Sequence, residues 1–487
     1  MTTDVDVLVV GAGPTGLATA GFLAQWGVRV RVVDAAEHPF VGSRGKGLQP
    51  RSLEILEGLG VTGRLVSAGR SRMPIRHYAE DGTYFDTDLS AGEAPSPDSP
   101  YARTLLIPQW RVEETLRNRL AELGVAVDWS TGLVGFEQGP DRVTATLVDG
   151  SRVSARYLIG CDGGSSTVRR LLGVTFLGET NEAVRMLIAD VQLDGVDRDH
   201  WHIWQNVLPR GVALCPLPGT DTFQLQAPDN GSDASLETCQ AIVDDVVGGG
   251  VRLRKATWLS KWRMNVRMVD RYRVGRVFLA GDAAHVHSPA GGQGMNTGIQ
   301  DAANLSWKLA HVLAGADEGL LDTYEAERLP VAAAVLGLST RLTSAPPGLR
   351  GEEGRGTNQL GISYRGGPLA PDSGAVSGPV AGDRAPDAPC RDGRGRRVRL
   401  FELLHGPRWT VLAFGADPAG LPDHVRIVRI GGEHGLADVD GHAARAYAAT
   451  EGDLVLIRPD GYLATRTRAS IDITTYLSPL TSTPVPS

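Results

Sequence analysis

The chain has 487 residues, 42% hydrophobic and 22% charged, enough for about three domains at roughly 150 residues each. The 49 basic and 56 acidic side chains leave a net charge of -7, with a pI near 5.9. This disfavours nucleic acid or an anionic membrane surface as the main partner, and arginines interleaved with Asp and Glu read as a mixed, solvated exterior.

Val5–Val10 reads as a strand buried on both faces. Gly11-Ala-Gly-Pro-Thr-Gly16 follows, then a helix to about Trp26 with Gly27 as its stop. Val28–Val33 alternates as a second strand and ends at Asp34. These are the parts of a dinucleotide fingerprint. Gly11 makes the turn, Gly13 admits a pyrophosphate, Gly16 lets helix and strand approach, and Asp34 reaches a ribose hydroxyl. The uncharged run Val7–Val28 is long enough to suggest a membrane span. Its Gly11, Gly13, Pro14 and Gly16 punctuation fits strand, turn and helix better, so no membrane partner is expected.

The next loop carries Arg44, Lys46 and Arg51, suited to a cofactor's phosphates or equally to solvent, and Ser52 is placed to cap a helix through Leu59. Residues 71–101 alternate weakly and pass through a Pro/Ser/Asp-rich stretch, as an excursion from the first domain. Gln109 precedes a helix, Val112–Leu123, and short strands with an Asp149-Gly150 hairpin turn follow it. Tyr157–Gly160 is a buried strand closing on Cys161-Asp162-Gly163, with a further helix behind.

From 180 to 270 short alternating runs predict an antiparallel sheet and a helix at Leu236–Val247. Four of the nine tryptophans, Trp201, Trp204, Trp258 and Trp262, gather here, as substrate-pocket lining or as ordinary core. The strand ending at Gly281-Asp282 leads into a glycine-rich turn and a helix from near Asn296, a geometry that suits a ligand carrying negative charge. A helix over Leu321–Val335 is followed by Gly/Pro/Ser/Asp-rich linker and loop, and the strands after 395 form a compact α/β domain. Cys161, Cys215, Cys239 and Cys390 make no CxxC pair, which gives no disulfide framework or metal site and fits a cytoplasmic, reducing compartment. No basic n-region with a cleavage site opens the sequence, so secretion is not expected.

Taken in order, Gly11–Gly16, Cys161-Asp162-Gly163 and Gly281-Asp282 resemble the motifs of the single-component (class A) FAD-dependent aromatic hydroxylases, the para-hydroxybenzoate hydroxylase-like flavoprotein monooxygenases. Residues 383–472 resemble the C-terminal domain of the branch acting on phenols and polyketides. The resemblance implies an α/β fold: a Rossmann-like FAD-binding domain (1–72, 101–180, 270–340) with an inserted β-sheet substrate domain (73–100, 181–269). It also implies a linker (341–380) and a thioredoxin-like domain (381–487), which lacks CxxC and is therefore structural.

Carried onto this sequence, Gly11, Gly13 and Gly16, with Pro14 and Thr15 between them, hold the FAD pyrophosphate, and Asp34 holds the adenosine ribose in place of the commoner Glu. Arg44 and Gln109 stand near the cofactor, Asp162 serves FAD and NAD(P)H contacts, and Gly281 and Asp282 meet the ribityl or pyrophosphate region. Pro289, Gly292, Gly294, Met295 and Asn296 face the isoalloxazine ring. His285 or His287 could assist a substrate phenol's proton, with His285 and Pro289 the catalytic candidates.

The implied reaction hydroxylates a bulky aromatic, polyketide-like or phenolic, with NADPH or NADH and O2 through a flavin 4a-hydroperoxide; the cofactor carries the hard step. Baeyer–Villiger oxygenation, epoxidation and halogenation remain alternatives on this scaffold, as does a non-catalytic binding protein. The expected partner is a small aromatic substrate, and a homodimer is left open.

Overall fold

The computed structural model describes residues 4–88, 94–205, 210–288, 291–344, 356–371, 377–404 and 406–480. Their strands gather mainly into three sheets. In the first, Val5–Val10 lies between two parallel neighbours, Arg152–Gly160 and Val30–Val33. Val277–Leu279 adds in parallel to the outer side of Arg152–Gly160. Val7, Leu8 and Val9 are fully buried, as the uninterrupted apolar run requires of a parallel strand covered on both faces. The helices Pro14–Gln25 and Gly294–Leu313 pack against each other over this sheet.

The second sheet is built on two long antiparallel strands, Phe176–Asp194 and Arg252–Val269. Phe223–Pro228, Val212–Pro216 and Trp201–Trp204 extend it, and the hairpin Ile75–Tyr78/Tyr84–Thr87 completes its edge. The excursion after residue 71 therefore joins the sheet predicted for 180–270. At the opposite edge His285–Val286 pairs with Arg252–Val269, so the segment after Gly281-Asp282 bridges the two sheets. Leu187, Ala189, Val191, Phe223 and Leu225 pack one sheet face onto helix Leu236–Val247.

The third sheet runs Val425–Ile430, Trp409–Phe414, Leu454–Ile457, Leu463–Thr467. A buried ionic cluster joins this domain to the first: Arg458 pairs with Glu327, which also holds Lys308, all essentially unexposed. Burial alone would raise the Glu327 pKa, but Arg458 and Lys308 hold it far below the usual carboxylate range. Asp460 ties Arg458 to the indole N–H of Trp307.

Four sequence expectations need correcting. The helix assigned to start at Ser52 starts at Pro50, with Gln49 as N-cap; proline's fixed φ suits the first helical position. The next begins at Gln109 rather than Val112, and the long one at Gly294 rather than Asn296. The helix Asp322–Ser344 runs past Val335, into what composition marked as linker. Within that supposed linker Gln359 and Tyr364 are buried, Gln359 donating to Gln293 of the glycine-rich turn and Tyr364 accepting from Arg328.

Candidate functional site

Gly11 has a φ of +106°, and a Cβ there would stand 2.4 Å from the carbonyl oxygen of Cys161. A Cβ on Gly16 would stand 1.9 Å from the Gly11 oxygen. Both positions therefore need glycine to close the turn against the chain. Gly13 differs: a Cβ there would meet nothing within 4 Å. Gly13 is also the N-cap of Pro14–Gln25, with no side chain capping the helix and no acid in the first turn. Free amides at an open helix N-terminus fit a diphosphate. Asp34 accepts from the Ala12 amide at 2.6 Å and the Ala36 amide at 2.8 Å, so the acid meant for a ribose also holds the turn in register.

Thr15 packs its hydroxyl into the second glycine motif. Cβ atoms on Gly281 and Gly298 would fall 2.4 and 2.2 Å from Thr15 Oγ1. Asp282, next in the chain, stays exposed although protein surrounds it; that enclosure raises its carboxyl pKa, against the pull of His285 and Arg44. It is an acceptor open to the cleft. A Cβ on Gly294 would be 3.8 Å from Asp282 Oδ1, which brings the turn 291–296 to the same place.

That turn is fixed from behind. Gly291 and Gly292 take φ of +78° and +61°, and Asn296, fully buried, donates to the Gly47 and Gly292 carbonyls and accepts from the Gln49 amide. Gln293 donates to the Gly291 and Thr357 carbonyls and accepts from Gln359. Gln293 caps nothing, so the N-terminus of the helix Gly294–Leu313 keeps its amides free. Met295 reaches towards Gly45, whose amide donates to Gln109 Oε1 at 3.0 Å. Gln109 donates in turn to Glu113, a buried acid whose pKa burial lifts to about 7. The residues present thus fit FAD: an open diphosphate turn, an open carboxylate, and a braced second turn with unpaired amides. Pro289 lies outside the described residues.

Three expected roles change. His285 is fully buried and donates through Nε2 to Asp301 at 2.7 Å, which places that nitrogen in the bracing of the turn. Asp301 also accepts from the Gly281 amide and from Arg328, which in turn donates to Tyr364 Oη at 3.1 Å. Burial would raise the Asp301 pKa, but Arg328 and His285 hold it below its ordinary value. Asp162 spends both carboxylate oxygens on the following helix, accepting from Ser166 and from the Thr167 and Val168 amides. Arg51 is buried against Glu54 and the Asp460 carbonyl, away from any phosphate, while Arg44 is exposed. Arg169, in the helix behind Asp162, donates to the carbonyls of Gly164 and Ala283, tying the Asp162 and Asp282 motifs together. Asp301 and Arg328 were missed. No local signal marks them, since both helices carry other polar and charged residues, Lys308 and Glu327 among them.

Among the described residues no helix is long and apolar enough to cross a membrane. The chain matches the family model described as FAD binding domain over residues 4–339, and that for aromatic-ring hydroxylase, C-terminal, over 378–481. It is 42% identical to a flavin-dependent monooxygenase of Mycobacteroides abscessus, covering 97% of this chain and 99% of the relative. It is 37% identical to 6-methylpretetramide 4-monooxygenase of Streptomyces rimosus, covering 96% and 91%. The crystal structure of aklavinone-11 hydroxylase with FAD and aklavinone superposes with a TM-score of 0.83 at 29% identity, over 99% of each chain. With both family models and full-length relatives in agreement, the chain belongs to the FAD-dependent aromatic-ring hydroxylases, a family of flavin monooxygenases.

Proposed function

We propose that this enzyme hydroxylates a bulky polyketide-like or phenolic aromatic, consuming NADPH or NADH and O2. The observation that supports the reading is that the Gly11–Gly16 turn, Gly281-Asp282 and the Gly291–Asn296 turn meet one another, through Thr15 against Gly281 and Gly298 and through Asp282 against Gly294. Relatives acting on 6-methylpretetramide and aklavinone support the substrate class. Bound FAD would supply the redox chemistry with nicotinamide and dioxygen.

The protein's own part is binding and charge. Gly13 and the helix N-terminus behind it hold the diphosphate, and Asp282 accepts from the cofactor's hydroxylated chain. The free amides and dipole at the start of Gly294–Leu313 favour negative charge near the turn 291–296. His287, whose ring nitrogens have no hydrogen-bond partner among the described residues, stands 3.8 Å from where a Gly294 Cβ would be; burial, then His285, depress its pKa far below the usual value. It is a neutral imidazole at this turn, and it replaces His285 as the candidate closest to the chemistry. Four buried free cysteines suit a cytoplasmic setting.

The test is a screen of polycyclic phenols against the yellow, FAD-loaded protein. Substrate-stimulated NADPH or NADH oxidation with a product one oxygen atom heavier supports the reading. A colourless protein that refuses FAD, or a product formed only with chloride, sinks it.

A further inference from the structure

The second sheet carries polar residues where it faces the loop 40–49. Trp258, Asp190, Gln224 and Cys215 are register partners across four neighbouring strands, so they share one face, opposite the apolar face under helix Leu236–Val247. The loop lies directly on them: a Cβ on Gly42 would stand 2.3 Å from the Trp258 ring, and Gln224 donates to the Ser43 carbonyl. Lys46 descends from the loop. Its Nζ donates to Gln224 Oε1 at 2.5 Å and sits 4.2 Å from the centre of the Trp201 ring. That oxygen also accepts from Gln226.

A lysine nitrogen carries up to three N–H donors, and Lys46 uses one acceptor and a ring face. Among the described residues no carboxylate pairs with it as a salt bridge, and its side chain is half-buried rather than sealed. The titratable groups facing it are Asp190 and Cys215. Burial depresses the Lys46 amine, lifts Asp190 to about 6 against the pull of Lys46, and lifts the Cys215 thiol to about 11, so Cys215 stays neutral. Gly45 and Gly47 on either side of Lys46 meet the turn 291–296, Gly45 against Met295 and Gly47 through its carbonyl with Asn296, so the loop that carries the amine borders the proposed cofactor site.

We propose that Lys46, starting as its free amine, accepts the proton of a substrate's phenolic hydroxyl and as the ammonium so formed holds the resulting phenolate, with Gln224, Trp201 and Asp190 fixing the nitrogen. This rests on the aromatic-hydroxylase reading. The phenol O–H bond breaks and an N–H bond forms on Nζ, while the electron pair stays on the phenolate oxygen. The ammonium then donates to that oxygen and to Gln224 above the Trp201 face. A phenolate enriches its ring carbons in electrons, as attack on an electrophilic oxygen demands. The substrates selected are acidic phenols rather than their ethers.

The experiment uses FAD-loaded full-length protein with 2-hydroxyanthraquinone, which changes colour on ionisation, and 2-methoxyanthraquinone, which has no proton to lose. In the wild type, bound 2-hydroxyanthraquinone should ionise at least about one pH unit below its free value, a tenfold shift in the equilibrium. Lys46→Met should abolish the shift while binding the ether as the wild type does. Ionisation in Lys46→Met at the wild-type pH overturns the role of Lys46 but leaves the hydroxylase reading standing. Should Lys46→Met lose FAD, Gln224→Leu and Asp190→Asn are read instead, and a wild-type shift in both overturns the proposal. Exclusion of both anthraquinones by the wild type overturns the proposal together with the polycyclic substrate class.

Discussion

Asp301 is the residue on which the flavin-side turn hangs, and replacing it with Asn tests that. Its two carboxylate oxygens accept from three donors, the Gly281 amide, His285 Nε2 and Arg328 Nε, at 3.0, 2.7 and 2.7 Å, and its side chain is 1% exposed. Asparagine presents one NH2 group, which must face either Arg328 or the Gly281–His285 pair, donor against donor. Breaking a buried charge pair by removing one partner costs about 3–5 kcal/mol. At about 2.1 cal/mol/K of unfolding entropy per residue, a chain of 487 residues shifts about 1 °C per kcal/mol, so the melting temperature should fall by about 3–5 °C. The folded pKa of Asp301 is depressed below 3.8, so its stabilisation is complete above that unfolded value and fades as pH falls through the folded one. The gap between variant and wild type should therefore be full at neutral pH. The assay is thermal unfolding with and without FAD, alongside titration of apoprotein with FAD by flavin fluorescence. A variant melting within about 2 °C of wild type, with unchanged FAD affinity, would refute the bracing argument.

Gly13→Ala and Gly16→Ala should separate binding from folding. A Cβ at 13 meets nothing while one at 16 meets the Gly11 oxygen at 1.9 Å. Gly13→Ala should thus weaken FAD binding about tenfold or more, about 1.4 kcal/mol, at an unchanged apoprotein melting temperature, whereas Gly16→Ala should lower that temperature. Equal behaviour of the pair in calorimetry and FAD titration counts against the assignment of Gly13 to the diphosphate. Asp282→Ala should lose FAD during gel filtration, and full retention of the 450-nm-region flavin band relative to wild type contradicts its contact with the cofactor. Glu113, its pKa raised from 4.5 to about 7, stabilises the fold fully below the unfolded value and loses that contribution as pH rises through the folded one. Glu113→Gln should therefore match wild type at pH near 4.5 and be more stable above pH 7, by about 1–3 kcal/mol; melting curves across pH that stay parallel would count against a buried neutral acid.

The division between what the residues announced and what they hid follows from the physics of each contact. Gly11 and Gly16 were legible because backbone meets backbone there and only glycine fits, and Gly281 because the Thr15 side chain packs against it, so the requirement is written in residue type and spacing. The sheets were legible for a similar reason, since Val5–Val10 and Phe223–Pro228 carry burial in their own periodicity. Asp301, Arg328, Tyr364 and Gln359 were not, because their partners lie 27 to 66 residues away along the chain in three of the contacts that define them. Nothing local distinguishes such an aspartate from a solvated one. Asp162 and His285 stand differently: recognisable motifs suggest ligand contacts, while the nearby chain engages both Asp162 oxygens and the Nε2 of His285. A motif residue can therefore reach a ligand only with the hydrogen-bonding capacity its own fold leaves over. By that criterion Asp282, His287 and Lys46 are the groups with capacity to spare around the cleft, and the chemistry of this enzyme should be sought in those three side chains before any others.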